Sequence, residues 1–340
     1  MKTTVTFGEV MLRLATPNHL RFSQATVLEK TYGGGEANVA VSLANYGLPA
    51  RFVTRLPKNE LGQDAINGLR GLGVDTSKIV RAGDRMGIYF LESGAAQRGS
   101  NVLYDRANSA ISEVKLGEID WASVFADAGW FHFTGITPAL SDSAAAVSLE
   151  AAQAAKAAGV TVSCDLNFRK KLWSSQKAND VMSGLMASVD YCIANEEDAE
   201  KVFGIKAGET EVTSGALEHD RYIDVAKQLT DKFGFKGVAI TLRESFSASR
   251  NGWSALFYTD GKANFSRRYE MEIVDRVGGG DSFAGGLIYA LQTGKNASEA
   301  IEFAVAASCL KHSISGDYNL VTLKEVEALV GGDGSGRVQR

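Results

Sequence analysis

The residues with the clearest chemical meaning stand together near the C-terminal end. They read Asp275-Arg276-Val277-Gly278-Gly279-Gly280-Asp281-Ser282-Phe283-Ala284-Gly285-Gly286. Three glycines lead directly into an acidic residue at a helix start. Glycines let successive backbone N–H groups turn toward one point, and a helix N-terminus adds partial positive charge, so an anion such as phosphate fits there. An aspartate at that point can accept a proton from a hydroxyl attacking a phosphoryl group. The plainer alternative is a loop with Asp281 as an ordinary helix cap. Gly285-Gly286 weighs against it. Helix-interior glycines cost about 1 kcal/mol each relative to Ala, which makes sense where the helix packs closely on a neighbour. A branched side chain at Gly279 is expected to block the phosphate.

A second run, Gly33-Gly34-Gly35-Glu36-Ala37-Asn38, also opens a helix. It is either a tight turn or a place where backbone comes close to a polyhydroxylated ligand, with Gly34 and Asn38 as hydrogen-bonding groups.

The elements that position these runs mostly alternate. Short apolar strands are expected at 5–7, 160–165, 191–194 and 238–242. Helices are expected at 36–46, 64–72, 142–158, 196–203, 219–233, 281–292, 297–311 and 322–329, several closed by a glycine. Asp260-Gly261 between two strand-like runs predicts a hairpin. Strand–helix alternation with short connections implies a parallel sheet covered on both faces. Residues 8–31 and 84–106 break the pattern, with strand-like runs at 10–14, 86–91 and 102–104. They read as a small β appendage that serves as a lid over a cleft. No internal repeat is present. Residues 331–340 read as a flexible tail.

Composition bounds the class. The chain has 340 residues, 45% hydrophobic and 22% charged, which rules out disordered and fibrous classes. The length suits two domains or one large α/β domain. The net charge of −4 argues against general nucleic-acid binding. No run of eighteen apolar residues exists, and the N-terminus reads as a strand, so a cytoplasmic location with no membrane span is expected. Cys164, Cys192 and Cys309 are widely spaced in apolar runs, as reduced core cysteines are. The four histidines have no metal-ligand spacing.

The two glycine runs, in this order and at this spacing, resemble the ribokinase-like carbohydrate kinases over residues 3–330. The resemblance implies a three-layer α/β/α sandwich with a mainly parallel central sheet and a small β-sheet lid, in one unit spanning 1–330. It implies that Gly278, Gly279 and Gly280 form an anion hole and that Asp281 is the catalytic base. The family usually has Thr-Gly-Ala-Gly-Asp where this chain has Val277-Gly278-Gly279-Gly280-Asp281, so one hydroxyl is missing. Gly34, Gly35, Glu36, Ala37 and Asn38 then belong to the sugar site.

Three further segments resemble 2-keto-3-deoxygluconate kinases: Gly87 to Phe90, Leu103 to Arg106, and Asp165 to Trp173. By that resemblance Tyr89 and Tyr104 are polar walls, and Arg106 and Arg169 hold a sugar acid. A guanidinium fork matches a carboxylate. A single arginine on a solvated face is the ordinary alternative. Fructokinases also carry an Asp-x-Asn-x-Arg segment, so Arg169 separates the branches little. On the nucleotide side the resemblance places Asn167, Asn195, Thr241, Arg243, Ser245, Ala307, Ser308 and Lys311. It also places Asp198, through water, near Mg²⁺, and Asp317 against substrate. Asp198 stands where the family has Glu, one methylene longer. The segment 241–245 occupies the place of a Gly-rich turn but holds no glycine. Lys311 also reads simply as a helix C-terminal cation.

The implied activity is ATP- and Mg²⁺-dependent phosphorylation of 2-keto-3-deoxy-D-gluconate to its 6-phosphate, by a homo-oligomer paired through the lid. A fructokinase or ribokinase acting on a neutral sugar is the alternative enzyme. A non-catalytic sugar or nucleotide sensor on the same fold is the alternative of another class.

Overall fold

The computed structural model describes residues 1–195, 197–206 and 215–334. Runs rich in Val, Ile, Thr and Phe become strands because β-branched and aromatic side chains pack well on a pleated surface. Thr3–Phe7 is buried at all five positions, as a strand covered on both faces must be. The main sheet has the order Lys262–Phe265, Arg250–Thr259, Gly237–Ser245, Tyr191–Asn195, Thr161–Asp165, Ala128–Thr134, Thr3–Phe7, Ala50–Val53, with Tyr269–Glu272 also on Arg250–Thr259. The six strands from Gly237–Ser245 to Ala50–Val53 run parallel, and the remaining pairings are antiparallel.

Side chains that alternate along these strands feed two separate cores. Phe131 and Val162 join Val147 and Met182 on one face. Trp130, Ala239 and Phe257 join Val39, Phe283 and Phe303 on the other. Two cores on opposite faces of one sheet make three layers. Gly285 and Gly286 are explained by packing. A Cβ on Gly285 would stand 2.7 Å from Ser42 Cβ, and one on Gly286 would stand 3.0 Å from Ala304 Cα. The helix Gly279–Gln292 is therefore wedged between Gly35–Asn45 and Ala297–Lys311.

A separate sheet has the order Glu29–Gly33, Met11–Ala15, Ile88–Glu92, Asn101–Asp105, its inner pair parallel and its outer pairs antiparallel. Glu29–Gly33 was not expected as a strand. It reads Glu-Lys-Thr-Tyr-Gly and its first three residues are exposed, so it lacks an apolar pattern. The central strand Ala128–Thr134 and the helix Ser175–Met186 were not singled out either.

The hairpin at Asp260-Gly261 forms with φ of 51° and 72°, joining Thr259 to its partner Lys262. The segment 241–245 is not a turn. Strand Gly237–Ser245 continues through it, pairing Thr241 with Ala255 and Ser245 with Asn251. Cys164 and Cys192 are buried and Cys309 half-buried, all as free thiols. Among the described residues no helix is long and apolar enough to cross a membrane.

Candidate active site

The parallel strands end in Thr134, Asp165 and Asn195, and Thr241 lies beside Asn195 in register. The helices Gly35–Asn45 and Gly279–Gln292 begin at the same edge. Ligands of open α/β sheets bind outside these carboxyl ends. A cleft of about 570 Å³ lies there, floored by Gly278 to Asp281 and walled on one side by Met11, Tyr89 and Tyr104 of the small sheet and by Arg106 just beyond its last strand.

Asp281 is the third residue of its helix, after Gly278 at the cap, Gly279 and Gly280. Its Oδ2 accepts a hydrogen bond from Asn38 Nδ2 at 2.6 Å. Desolvation pushes its pKa up to about 6, while the Asn38 bond opposes the rise. The glycine loop is shaped by what lies behind it. Gly278 has φ of +83°, and a Cβ there would meet Asp317 O at 2.1 Å. A Cβ on Gly279 would point away from the cleft into the His312 ring, 2.4 Å from Cε1, while one on Gly280 would meet nothing within 4 Å. A branched side chain at Gly279 thus strikes the protein, and Gly280 is the position open to ligand. Ser308 Oγ donates to Gly279 O at 2.7 Å and ties the loop down.

The first glycine run is drawn close to protein groups. A Cβ on Gly34 would stand 1.9 Å from Glu9 O, and one on Gly33 would stand 1.9 Å from Asp317 Oδ2. Gly34, Gly35, Glu36 and Asn38 line the cleft. Glu36 is nonetheless committed inward. Its Oε1 accepts from Thr134 N at 3.0 Å, Thr134 Oγ1 at 2.8 Å and Thr137 Oγ1 at 2.8 Å. Burial raises its pKa to about 7. Ala37 has no exposed surface, because the helix turns it into the core.

Two arginines contribute differently. Arg106 forms an ion pair with buried Glu9 and lies 5.1 Å from the Tyr104 ring centre. Glu9 therefore already neutralises it, a partner the sequence reading missed. Arg169 makes no ion pair within 4 Å among the described residues. Its Nη1 donates to Phe168 O at 3.2 Å, and its charge opposes those of Asp165, Asp198 and Asp281.

Asp317 lines the cleft within a buried cluster. Arg13 Nη1 donates to its Oδ1 at 2.7 Å and Tyr89 Oη donates to the same atom at 2.6 Å. Arg13 also pairs with Asp275 at 2.5 Å. The Tyr89 hydroxyl is thus spent on Asp317. The cluster bolts strand Met11–Ala15 onto the two loops at the floor.

Asn167, Asn195, Thr241, Arg243 and Asp198 line the cleft, joined by Trp253 and Arg276, which the sequence reading did not single out. Asn195 Oδ1 accepts from the N–H groups of Glu197 and Asp198. The Asp198 carboxylate accepts from Phe168 N and Asn195 N, each at 3.2 Å. Glu196 lies outside the described residues. Four expected nucleotide residues do not line the cleft. Ser245 is carried past it by the extended strand. Ala307 and Lys311 have no exposed surface, and Ser308, also wholly buried, binds the glycine loop from behind. Their helix packs on the glycine loop's far side. Among the described residues no three His, Cys, Asp or Glu side chains converge to hold a metal.

Comparison with known proteins places this geometry. A solved 2-dehydro-3-deoxygluconokinase from Thermotoga maritima is 50% identical, with a TM-score of 0.93 over 98% of this chain and 100% of that one. A 2-dehydro-3-deoxygalactonokinase of Haloferax volcanii is 34% identical over 334 residues, 98% of each chain. A protein described as ribokinase II from E. coli, solved with ATP and Mg²⁺, shares the fold at 20% identity, with a TM-score of 0.79 over 97% of this chain and 99% of that one. Residues 1–322 match the model of the pfkB family carbohydrate kinases, so the chain belongs to that family of sugar-phosphorylating enzymes.

Proposed function

We propose that the protein transfers the γ-phosphoryl group of ATP to the terminal hydroxyl of 2-keto-3-deoxy-D-gluconate. The observation that carries this reading is Asp281, a carboxyl with a raised pKa at the cleft floor, one residue beyond the glycine loop. Its pKa of about 6 leaves it ionised at neutral pH and still basic enough to take a hydroxyl proton. As the oxygen–phosphorus bond forms, Asp281 receives the proton. The bond to the β-phosphate oxygen breaks, and ADP leaves with that electron pair. The N–H groups of Gly278 to Gly280 stabilise charge on the transferring group, and Asn38 fixes the carboxylate. The small sheet closes the sugar's side of the cleft as a lid.

The donor set suits Mg²⁺ held by phosphates and water. Asp198 and Asp281 add to the burial that pushes the Asp165 pKa up, and both Asp198 oxygens already accept backbone N–H groups. When bound, the ion neutralises phosphate charge.

The sugar acid is favoured by the likeness to the Thermotoga enzyme and by Arg169, which lines the cleft without an ion pair among the described residues, with Arg106 in the same cleft already paired to Glu9. A charge-assisted bond to carboxylate contributes about 1.5–3 kcal/mol, so losing one raises KM about ten- to a hundredfold. The test is kcat/KM for wild type, Arg106→Ala and Arg169→Ala on 2-keto-3-deoxygluconate, 2-keto-3-deoxygalactonate, fructose and ribose. A loss confined to the acids is expected, larger for Arg169→Ala than for Arg106→Ala, whose charge Glu9 already balances. A neutral sugar as the best wild-type substrate replaces the reading with a fructokinase or ribokinase. Absence of ADP release on every sugar leaves the sensor. Self-pairing through the small sheet is checked by light scattering.

A further inference from the structure

Lys311 ends its helix, where a lysine ordinarily reaches into solvent, yet it has no exposed surface. Its Nζ donates to Gly316 O at 2.7 Å, to Asp275 O at 3.3 Å and to Ile314 O at 3.4 Å. Three N–H donors meet three carbonyls, which is what an ammonium needs. A neutral amine would turn its lone pair on one of them. Burial lowers the Lys311 pKa and Arg13 lowers it further, while Asp275, Asp317 and Asp281 raise it.

The position of this charge is specific. Lys311 Cε passes 3.4 Å from where a Cβ on Gly278 would stand. Asp275 opens the segment that becomes the glycine loop, and Ile314 to Gly316 lead into Asp317. The ammonium therefore ties together the two loops that floor the cleft, directly behind the first glycine. Among the described residues no carboxylate oxygen bonds to it, so its charge acts on the peptide dipoles of both loops.

We infer that Lys311 is a built-in counter-cation for phosphoryl transfer, a fixed ammonium behind Gly278–Gly280 that orders both loops and draws negative charge to their cleft side. It is a positioning residue, because it reaches the reaction through the loop and touches no substrate. The inference rests on the reading that this loop receives the phosphoryl group. It has two consequences. The wild-type enzyme needs no added monovalent cation, because the carbonyl cluster is already filled. Removing the ammonium opens a carbonyl-lined space that ammonium or potassium ions can enter.

The first measurement is wild-type turnover in potassium, sodium and tetramethylammonium buffers of equal ionic strength. Equal rates within about twofold are expected, and a requirement for added potassium overturns the inference whether or not any variant folds. The second uses Lys311→Met, with kcat, KM and thermal unfolding measured together. A fall in kcat of about ten- to a hundredfold is expected, with sugar KM changed by less than about threefold. Ammonium or potassium chloride should restore kcat saturably, and tetramethylammonium chloride should not. A folded variant with near-wild-type kcat, or a loss that no small cation restores, overturns the inference. If wild type phosphorylates no sugar, the functional reading fails separately. Calorimetric ATP affinity then decides: about tenfold weaker binding in Lys311→Met, restored by ammonium, supports the counter-cation, and unchanged affinity overturns it.

Discussion

Replacing Asp281 by Asn should move activity and stability in opposite directions. The carboxylate is largely desolvated at the cleft floor, and its pKa rises from 3.8 to about 6. A folded carboxyl with a raised pKa binds its proton more tightly than the unfolded chain does. It therefore destabilises the fold progressively as pH rises from about 4 to about 6, and by a constant amount above that. Two pKa units correspond to about 3 kcal/mol. The cleft is open to water, which screens part of this, so about 1–2 kcal/mol is expected at pH 8. At about 2.1 cal/mol/K per residue, unfolding this chain carries an entropy near 0.7 kcal/mol/K, so Tm should rise by about 1–3 °C. The gain should vanish below about pH 4. The amide can still meet Asn38, so the local packing survives. Over the same pH range kcat should fall by roughly 10²–10⁴, the usual contribution of a positioned acid–base group. The assays are coupled ADP release and scanning calorimetry at pH 4 and pH 8. Near-wild-type turnover refutes Asp281 as the base. A variant less stable than wild type at pH 8 refutes the desolvated carboxylate.

Asn38→Ala removes a hydrogen bond to the ionised carboxylate, so the acid limb of the kcat/KM profile should move from about pH 6 upward by about one unit or more. An unmoved limb would show that the bond is absent in the working enzyme. Gly280→Ala should keep Tm within about 2 °C but lower ATP affinity and turnover, since its Cβ enters open cleft. Gly279→Val should lose Tm first, since its side chain strikes His312; equal behaviour of the two variants by calorimetry and kinetics would contradict the loop geometry. Arg13→Met leaves Asp275 and Asp317 buried without their cation and should cost about 3–5 kcal/mol, read from the urea midpoint. A cost below about 1 kcal/mol would mean water reaches the cluster.

Much of this protein was legible in its residues because the signals are local. Helix ends were marked by glycines that can adopt left-handed backbone, and Gly47, Gly159, Gly204 and Gly234 all do so. Asp260-Gly261 carried its hairpin, and strand–helix alternation carried the parallel sheet. The loop at 278–281 could be read as an anion site because three glycines and a helix start are contiguous. Partnership was not legible, since Arg13 lies 262 residues from Asp275 and 304 from Asp317, and no spacing rule links them. Glu9 gave no sign that it would neutralise Arg106. The family resemblance put a turn at residues 241–245, where pairing with the neighbouring strand instead continues the strand expected at 238–242. Lys311 sits at a helix end, where local chemistry favours a solvated cation. Only the packing of that helix behind the glycine loop turns it inward onto three carbonyls. Backbone preference acts over a few residues and is written in the sequence. Burial and charge pairing depend on which surfaces meet, and the tertiary structure decides that.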